Sequence, residues 1–275
     1  MATIPLTSSL RNEYQALFDS CVINANRQHE VEQLVDELAV NRGRYEQVGG
    51  PLGIPWHFIA VVHNMESSRR FNCHLHNGDP LTARTVQVPP GRPRSGNPPF
   101  TWEQSATDAL TLEKLDRWGD WTLAGTLYKL EAYNGWGYRR FHPHVKSPYL
   151  WAGSNQYVSG KYVADGTWSG TAISRQCGAA VLLRRMAERG LVALTQHGVP
   201  AVVEHAIASE EPILHWADHG DVPFAQALQE FLNTLPGIFV KPDGWPGDNT
   251  SEAFRAATGH YLHGDPRAAG ANGDD

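Results

Sequence analysis

Apolar positions at Leu17, Phe18, Val22 and Ile23, then at Val31, Leu34, Val35 and Leu38, follow the three-and-four spacing of one helix face. Residues 11–45 are therefore expected to be helical. The stretch "VGGPLGIP" breaks that pattern, and Pro55 suits the first turn of a new helix. This next helix carries Trp56, Ile59, Ala60, Val62 and His63 and should end near Ser67. Its apolar residues surround most of the cylinder, which predicts a central, buried helix rather than a surface one.

Residues 72–100 differ in kind. "NGDP", "VPPGRPRSGNPP" and the short alternation in "ARTVQVP" predict a loop containing a small β-hairpin. Thr101 then reads as the N-cap of "WEQSATDALTLEKL", with Gln104 at the capping-box position. Trp121 to Tyr133 forms a further amphipathic helix, stopped by Asn134 and Gly135. An aromatic-rich irregular stretch follows, then a helix in "SRQCGAAVLLRRMAERG", and from about residue 221 a short helix, a Gly/Pro/Asp turn and another helix. The tail "AAGANGDD" reads as disordered. The expected fold class is mainly α (α+β): a helical domain with a small β-hairpin element and a helical C-terminal subdomain.

Composition narrows the function. A chain of 275 residues with 41% hydrophobic and 19% charged positions reads as globular. A net charge of −6, with no cluster of Lys or Arg, offers no footprint for nucleic acid. Three widely spaced cysteines, Cys21, Cys73 and Cys177, argue for free thiols rather than a disulfide framework. No apolar run is long enough for a membrane span, and no secretory signal is evident at the N-terminus. The expectation is a protein made in the cytoplasm that reaches any outside substrate by another route.

The candidate chemistry sits in "HNMESSRRFNCHLHNGDPLT", residues 63–82. Glu66 follows Phe58, Ile59, Val61, Val62 and Met65 on the helix expected to be buried. Cleaving a glycosidic bond requires a carboxylic acid that is still protonated near neutral pH, and an apolar setting raises a carboxyl pKa toward that range. The plain structural reading is a helix-end residue paired with Arg69 or Arg70. A negative charge at a helix C-terminus opposes the helix dipole, which makes that reading the less comfortable of the two. Asp79 is the candidate second carboxylate; an inverting hydrolase needs one roughly 6.5–9.5 Å from the acid to activate water. Its competing role is that of a turn residue in "NGDP". Thr82 and Thr85 on the same loop are candidates to position a water.

The pairing of "ESSRRFN" with the later "LEAYNGWGYR" resembles the goose-type lysozyme and lytic transglycosylase superfamily. Members carry a catalytic Glu followed by Ser, and further along an "AYN-x-G" stretch at a helix end whose Tyr and Asn line the sugar cleft. By that resemblance Glu66 is the acid, and Ser67, Tyr133 and Asn134 belong to the substrate cleft. The likeness covers roughly residues 50–190. The "G-x-M/L-Q" segment of lytic transglycosylases is absent, and "HNGDPLTARTVQVPPGRP" stands in its place. Residues 221–264 resemble small helical peptidoglycan-binding modules, through Leu228, Gln229, Leu232 and Asn233 and then Asp243, Gly244, Gly247 and Thr250. The expected organisation is a helical segment over 1–50, a lysozyme-like catalytic domain over 51–220, that subdomain over 221–264 and a tail over 265–275.

Other constellations carry less. Cys73, His74 and His76 suggest a metal, but adjacent Cys and His do not readily serve one ion, so no metal and no cofactor is expected. His76 is instead a candidate sugar contact. Among the aromatics of residues 133–168, Tyr133, Trp151 and Tyr157 are the cleft candidates, with Asn155 available to bond sugar hydroxyls. The resemblance implies a glycoside hydrolase of β-1,4-linked peptidoglycan, of the kind found in endolysins. Chitosan or chitin hydrolysis, lytic transglycosylation and an inactive wall-binding protein are the alternatives.

Overall fold

The computed structural model describes residues 4–164, 166–192, 194, 213–233, 237–258 and 261–270. It divides into two compact units, Met1–Gln196 and His197–Asp275. Among the described residues it holds eleven α-helices and one two-stranded sheet, the mainly α fold that the hydrophobic pattern predicts. No helix among them is long and apolar enough to cross a membrane.

The larger unit is assembled round α4, Trp56–Ser67, of which every residue but Glu66 is buried. Three helices precede it: α1 (Ser8–Asp19), α2 (Gln28–Val40) and α3 (Arg42–Leu52). Three more follow: α5 (Trp102–Leu112), α6 (Leu123–Asn134) and the short α7 (Gly137–Phe141). Then come α8 (Pro148–Trp151), the hairpin β1–β2 (Lys161–Ala164 with Thr167–Ser169) and α9 (Ala179–Glu188). α4 packs against α3, α6 and α9, while α1 packs on α6 and α2 on α9. The first fifty residues are thus part of this unit and not a separate segment.

Local chemistry explains where the expected elements changed. The helical pattern of residues 11–45 is interrupted at Ser20–Asn24, because Val22 N–H is taken by Asn155 Oδ1 at 2.8 Å and Ile23 bridges to Ser154. The "VGGP" break falls later than expected, since α3 runs through Gly49 and Gly50 to Leu52 and stops only at Gly53, with φ of +65°. Gly49 serves close packing: a Cβ there would lie 2.2 Å from the carbonyl oxygen of Ile54. Thr101 and Gln104 form the capping box of α5.

Residues 72–100 carry no strand, only an isolated bridge between Cys73 and Pro80. The alternation in "ARTVQVP" leaves Val86 and Val88 exposed, and the loop's N–H groups find Asp79, Thr85 and a carbonyl instead of a partner strand. The small hairpin is β1–β2, about seventy residues further on, paired through Tyr162 and Trp168. All three cysteines are buried and free.

In the smaller unit, α10 (Ala225–Leu232) and α11 (Asp248–Thr258) close a core of Leu214, Leu228, Leu232, Val240, Phe254 and Leu262. Buried Gln229 organises the turn between them: its Nε2 reaches Asp243 Oδ1 at 3.0 Å and the Trp245 carbonyl at 2.9 Å, and its Oε1 accepts Gly244 N–H at 2.8 Å. Gly244 has φ of +79°, where a side chain would be strained. The tail expected from residue 265 does not begin there, because Asp265 is buried against Ser251 and Arg267. Residues 271–275, where the rest of that expectation falls, lie outside the described residues.

One glycine tests the packing near the site. A Cβ on Gly178, the N-cap of α9, would lie 2.2 Å from the Leu150 carbonyl oxygen and 2.7 Å from the Trp151 nitrogen, both backbone atoms of α8. Gly178→Ala is expected to lose about 1–3 kcal/mol in urea denaturation. Gly43→Ala, with nothing within 4 Å, is expected to gain up to about 1 kcal/mol. Equal stability of Gly178→Ala and wild type would rule out the close approach of α8 and α9.

Candidate active site

α4 ends because its next two residues turn left-handed: Ser68 has φ of 52° and Arg69 of 62°. The Ser68 and Arg69 N–H groups both return to the His63 carbonyl, and the Arg69 guanidinium grips Asn64 Oδ1 and Glu37. From the other side Gln176 Nε2 donates to the Met65 carbonyl at 2.8 Å. The loop 77–79 closes directly on this last turn, since a Cβ on Gly78 would sit 3.3 Å from the Glu66 carbonyl oxygen. The end of α4 is therefore clamped on every side except where Glu66 points.

Glu66 is half-buried, and Tyr149 Oη donates to its Oε1 at 2.9 Å. Burial pushes its carboxyl pKa up to about 7; the Tyr149 bond pulls the other way, and the charge of Glu113 pushes up again. The negative end of the α4 dipole works in the same direction as burial. Tyr149 and Tyr133 are themselves held far above the ordinary tyrosine range, by burial first and then by the charge of Glu66. Glu113 also acts on Tyr133 and, attractively, on Lys129 one turn earlier in α6. The group around Glu66 is thus Tyr149 from α8, Tyr133 from the last turn of α6, and Glu113 at the end of α5.

The sequence candidates divide. Glu66 and Tyr133 come together, and Asn134 follows Tyr133, exposed at the helix end. Ser67 is buried and its hydroxyl donates to the His63 carbonyl, so it faces the helix and not a cleft. Asp79 is tied to its own loop: its Oδ2 accepts from Val86 N–H at 2.8 Å, Gln87 N–H at 3.1 Å and Asn77 Nδ2 at 3.1 Å. Those backbone bonds hold its carboxyl below the usual range, as a turn-forming Asp requires. Thr82 is exposed, while Thr85 is buried with its hydroxyl on the Pro89 carbonyl.

Four further candidates have structural partners. His76 lies between Asp108 Oδ2, at 2.8 Å, and Ser105 Oγ, at 3.4 Å. Asn155 braces the end of α1 through Val22 and Ser20. Tyr157 Oη donates to the Gly160 carbonyl and accepts Ser174 N–H. Trp151 is only 1% exposed and sits two residues from Tyr149 on α8, hence on the opposite side of that short helix. All four residues of α8 are buried, and it is the hydrogen bond to Glu66 that marks Tyr149 as the one facing the site. Glu113 has no comparable signal in the sequence.

A groove of about 670 Å³ runs between α2 and the end of α4, lined by Gln33, Glu37, Asn64, Ser68, Arg69 and Gln176 among others. It uses the Asn64–Ser68 face of α4 and leaves Glu66 on the other side. Among the described residues no group of three His, Cys, Asp or Glu is arranged to hold a metal ion. Cys73, His74 and His76 take separate partners: Asn72, Ser105 with the Ala83 carbonyl, and Asp108. Comparison with protein-family models, curated proteins and solved structures gave no match.

The raised carboxyl has a consequence for stability. The folded Glu66 keeps its proton to about pH 7, whereas an unfolded glutamate releases it near 4.5. Its ionisation therefore costs stability, progressively from about pH 4.5 to 7 and fully above. Glu66→Gln removes that cost, so the variant should match wild type near pH 4 and exceed it at pH 8 by up to about 3 kcal/mol. Chemical denaturation at the two pH values measures this, and a variant less stable at pH 8 would contradict the burial of the charge.

Proposed function

We propose that this protein is a glycoside hydrolase of β-1,4-linked amino-sugar polymers, peptidoglycan foremost, with Glu66 as the proton donor. The observation that carries the reading is a carboxyl with pKa near 7, half-buried at the end of an apolar helix, bonded to a tyrosine and still reachable from solvent. Such a group is substantially protonated at neutral pH and can give its proton to a leaving glycosidic oxygen. Tyr149 fixes one carboxyl oxygen, which leaves Oε2 to face the substrate. Tyr133 supplies a ring and a hydroxyl beside it. The order of "ES" and "AYN" in the sequence agrees with this use of Glu66 and Tyr133.

Asp79 is not assigned the second carboxylate here, because its Oδ2 is committed to three N–H donors of its own loop. Glu113 is the carboxylate whose charge reaches Glu66, and it is exposed and free to face a water. The smaller unit is read as a wall-binding module, in which Leu228, Gln229, Leu232, Gly244 and Thr250 build the fold rather than touch a glycan.

Reducing-end release from purified peptidoglycan tests the reading. Glu66→Gln should lose roughly 10²- to 10⁴-fold in rate. Full activity in that variant would end the proposal, and an inactive wild type would move the test to chitosan. The pH profile of kcat/KM adds a signed check, since activity should fall as pH rises through the Glu66 pKa. Tyr149→Phe removes a bond to the ionised form and should move that limb up by about one unit. Glu113→Gln removes a repelling charge and should move it down. A rate loss as large as that of Glu66→Gln would make Glu113 the second catalytic carboxylate.

A further inference from the structure

A cavity of about 160 Å³ opens on the side of α6 and α8 away from Glu66. α6 turns Glu131 toward it and Tyr133 toward Glu66; α8 does the same with Trp151 and Tyr149. Residues two apart on a helix point about 200° apart, so the two helices separate two distinct sites. The volume would hold on the order of ten water molecules, enough for one small ring.

The lining is charged yet internally balanced. Arg139 Nε donates to Glu131 Oε2 at 2.8 Å and its NH1 to Glu13 at 3.2 Å, while Lys146 Nζ donates to Glu13 Oε1 at 2.8 Å. Tyr14 Oη completes the Glu131 environment at 2.5 Å. Ser147, only 2% exposed, also lines the cavity, and its Oγ has no hydrogen-bond partner among the described residues. A buried hydroxyl left unpaired costs free energy, and Ser147 does not use it to cap α8. Pro143, Val145 and Trp151 supply apolar walls.

These features select a ligand class. An anion would have to displace Glu13 or Glu131 from Arg139 and Lys146, and a cation the reverse, each leaving a charge without its partner. A purely apolar occupant would leave the Ser147 hydroxyl and the ion pairs unanswered. A neutral ring with hydroxyls on its rim and C–H faces avoids both penalties. It can use spare carboxylate lone pairs, spare ammonium and guanidinium N–H groups and Ser147 Oγ without breaking an ion pair. We propose that the cavity bounded by Glu13, Glu131, Arg139, Lys146, Ser147 and Trp151 is a second, non-catalytic binding site for a single neutral saccharide unit. This holds whether or not Glu66 proves to be a catalytic acid.

The test is a titration of the isotope-labelled full chain with N-acetylglucosamine, followed by NMR at the Arg139 Nε–H, the Trp151 indole and the backbone of residues 143–147. Saturable shifts at these positions are expected. Ser147→Val should weaken binding roughly two- to tenfold without lowering the melting temperature, because no existing bond is removed. Lys146→Met, at a half-exposed position, provides a second variant that should fold and bind more weakly. Saturable shifts confined to Tyr133 and Tyr149, absence of saturation, or unchanged affinity in both folded variants would each overturn the proposal.

Discussion

α4 has no solvent face, and the larger unit is built to satisfy that constraint. A helix apolar on all sides must be enclosed by other elements, and α3, α6 and α9 do so. Enclosure has a boundary, and the boundary is the last turn, where the backbone reverses through two left-handed residues and Glu66 is the one side chain that escapes full burial. The unusual carboxyl follows from the helix being central, because the groups that bury α4 also strip water from the residue at its end. Tyr149 and Tyr133 arrive on the elements that pack beside it, so the same arrangement supplies both a raised pKa and the hydroxyl that offsets part of it.

That arrangement sets local stability against chemistry. A charged glutamate at this place is destabilising above neutral pH, and nothing in the packing of α4 requires a carboxyl there. The buried ion cluster of Glu131 offers the contrast. Glu131 is almost fully buried, but Arg139 and Tyr14 both bond to its Oε2, so its charge is answered at once. Among the described residues Glu66 has a tyrosine partner and no cation. Burial raises the pKa of both carboxyls, so the difference between them lies in partners and access: Glu131 is closed in by Arg139 and Tyr14, while Glu66 remains open to solvent.

Much of the larger unit was legible as pattern. The all-round apolar run fixed α4 and its end near Ser67, Thr101 with Gln104 fixed α5, and Asn134–Gly135 stopped α6. The misplaced hairpin shows where periodicity fails. "ARTVQVP" alternates like a strand, yet Asp79 and Thr85 supply the acceptors and donors that a second strand would have supplied. Side-chain capture of backbone groups leaves no period in the sequence. The same holds at the site: Glu66 and Tyr133 were readable from their helices, while Tyr149 depended on the facing of a single-turn helix and Glu113 on a contact between elements distant in sequence. Trp151, Asn155 and Tyr157 looked like cleft residues because they are polar or aromatic in an irregular stretch. Irregular backbone needs such side chains to satisfy itself, and Asn155 and Tyr157 are used in that way, while Trp151 is buried on α8.

The loop at residues 72–100 illustrates how an irregular segment can still be rigid enough to shape a site. It has no strand and no helix, but a buried chain of hydrogen bonds ties it to α5. His74 bonds Ser105 and the Ala83 carbonyl, Ser105 approaches His76, His76 meets Asp108, and Asp108 takes both Nε and NH2 of Arg92 at 2.8 Å. Every link but the one to Ala83 crosses from the loop to the helix or back, so the loop cannot shift on α5 without leaving polar groups unpaired. Gly78, two residues after His76, then rests on the Glu66 carbonyl. The histidines that suggested a metal or a sugar contact thus act at one remove, by fixing the loop against which the last turn of α4 is held.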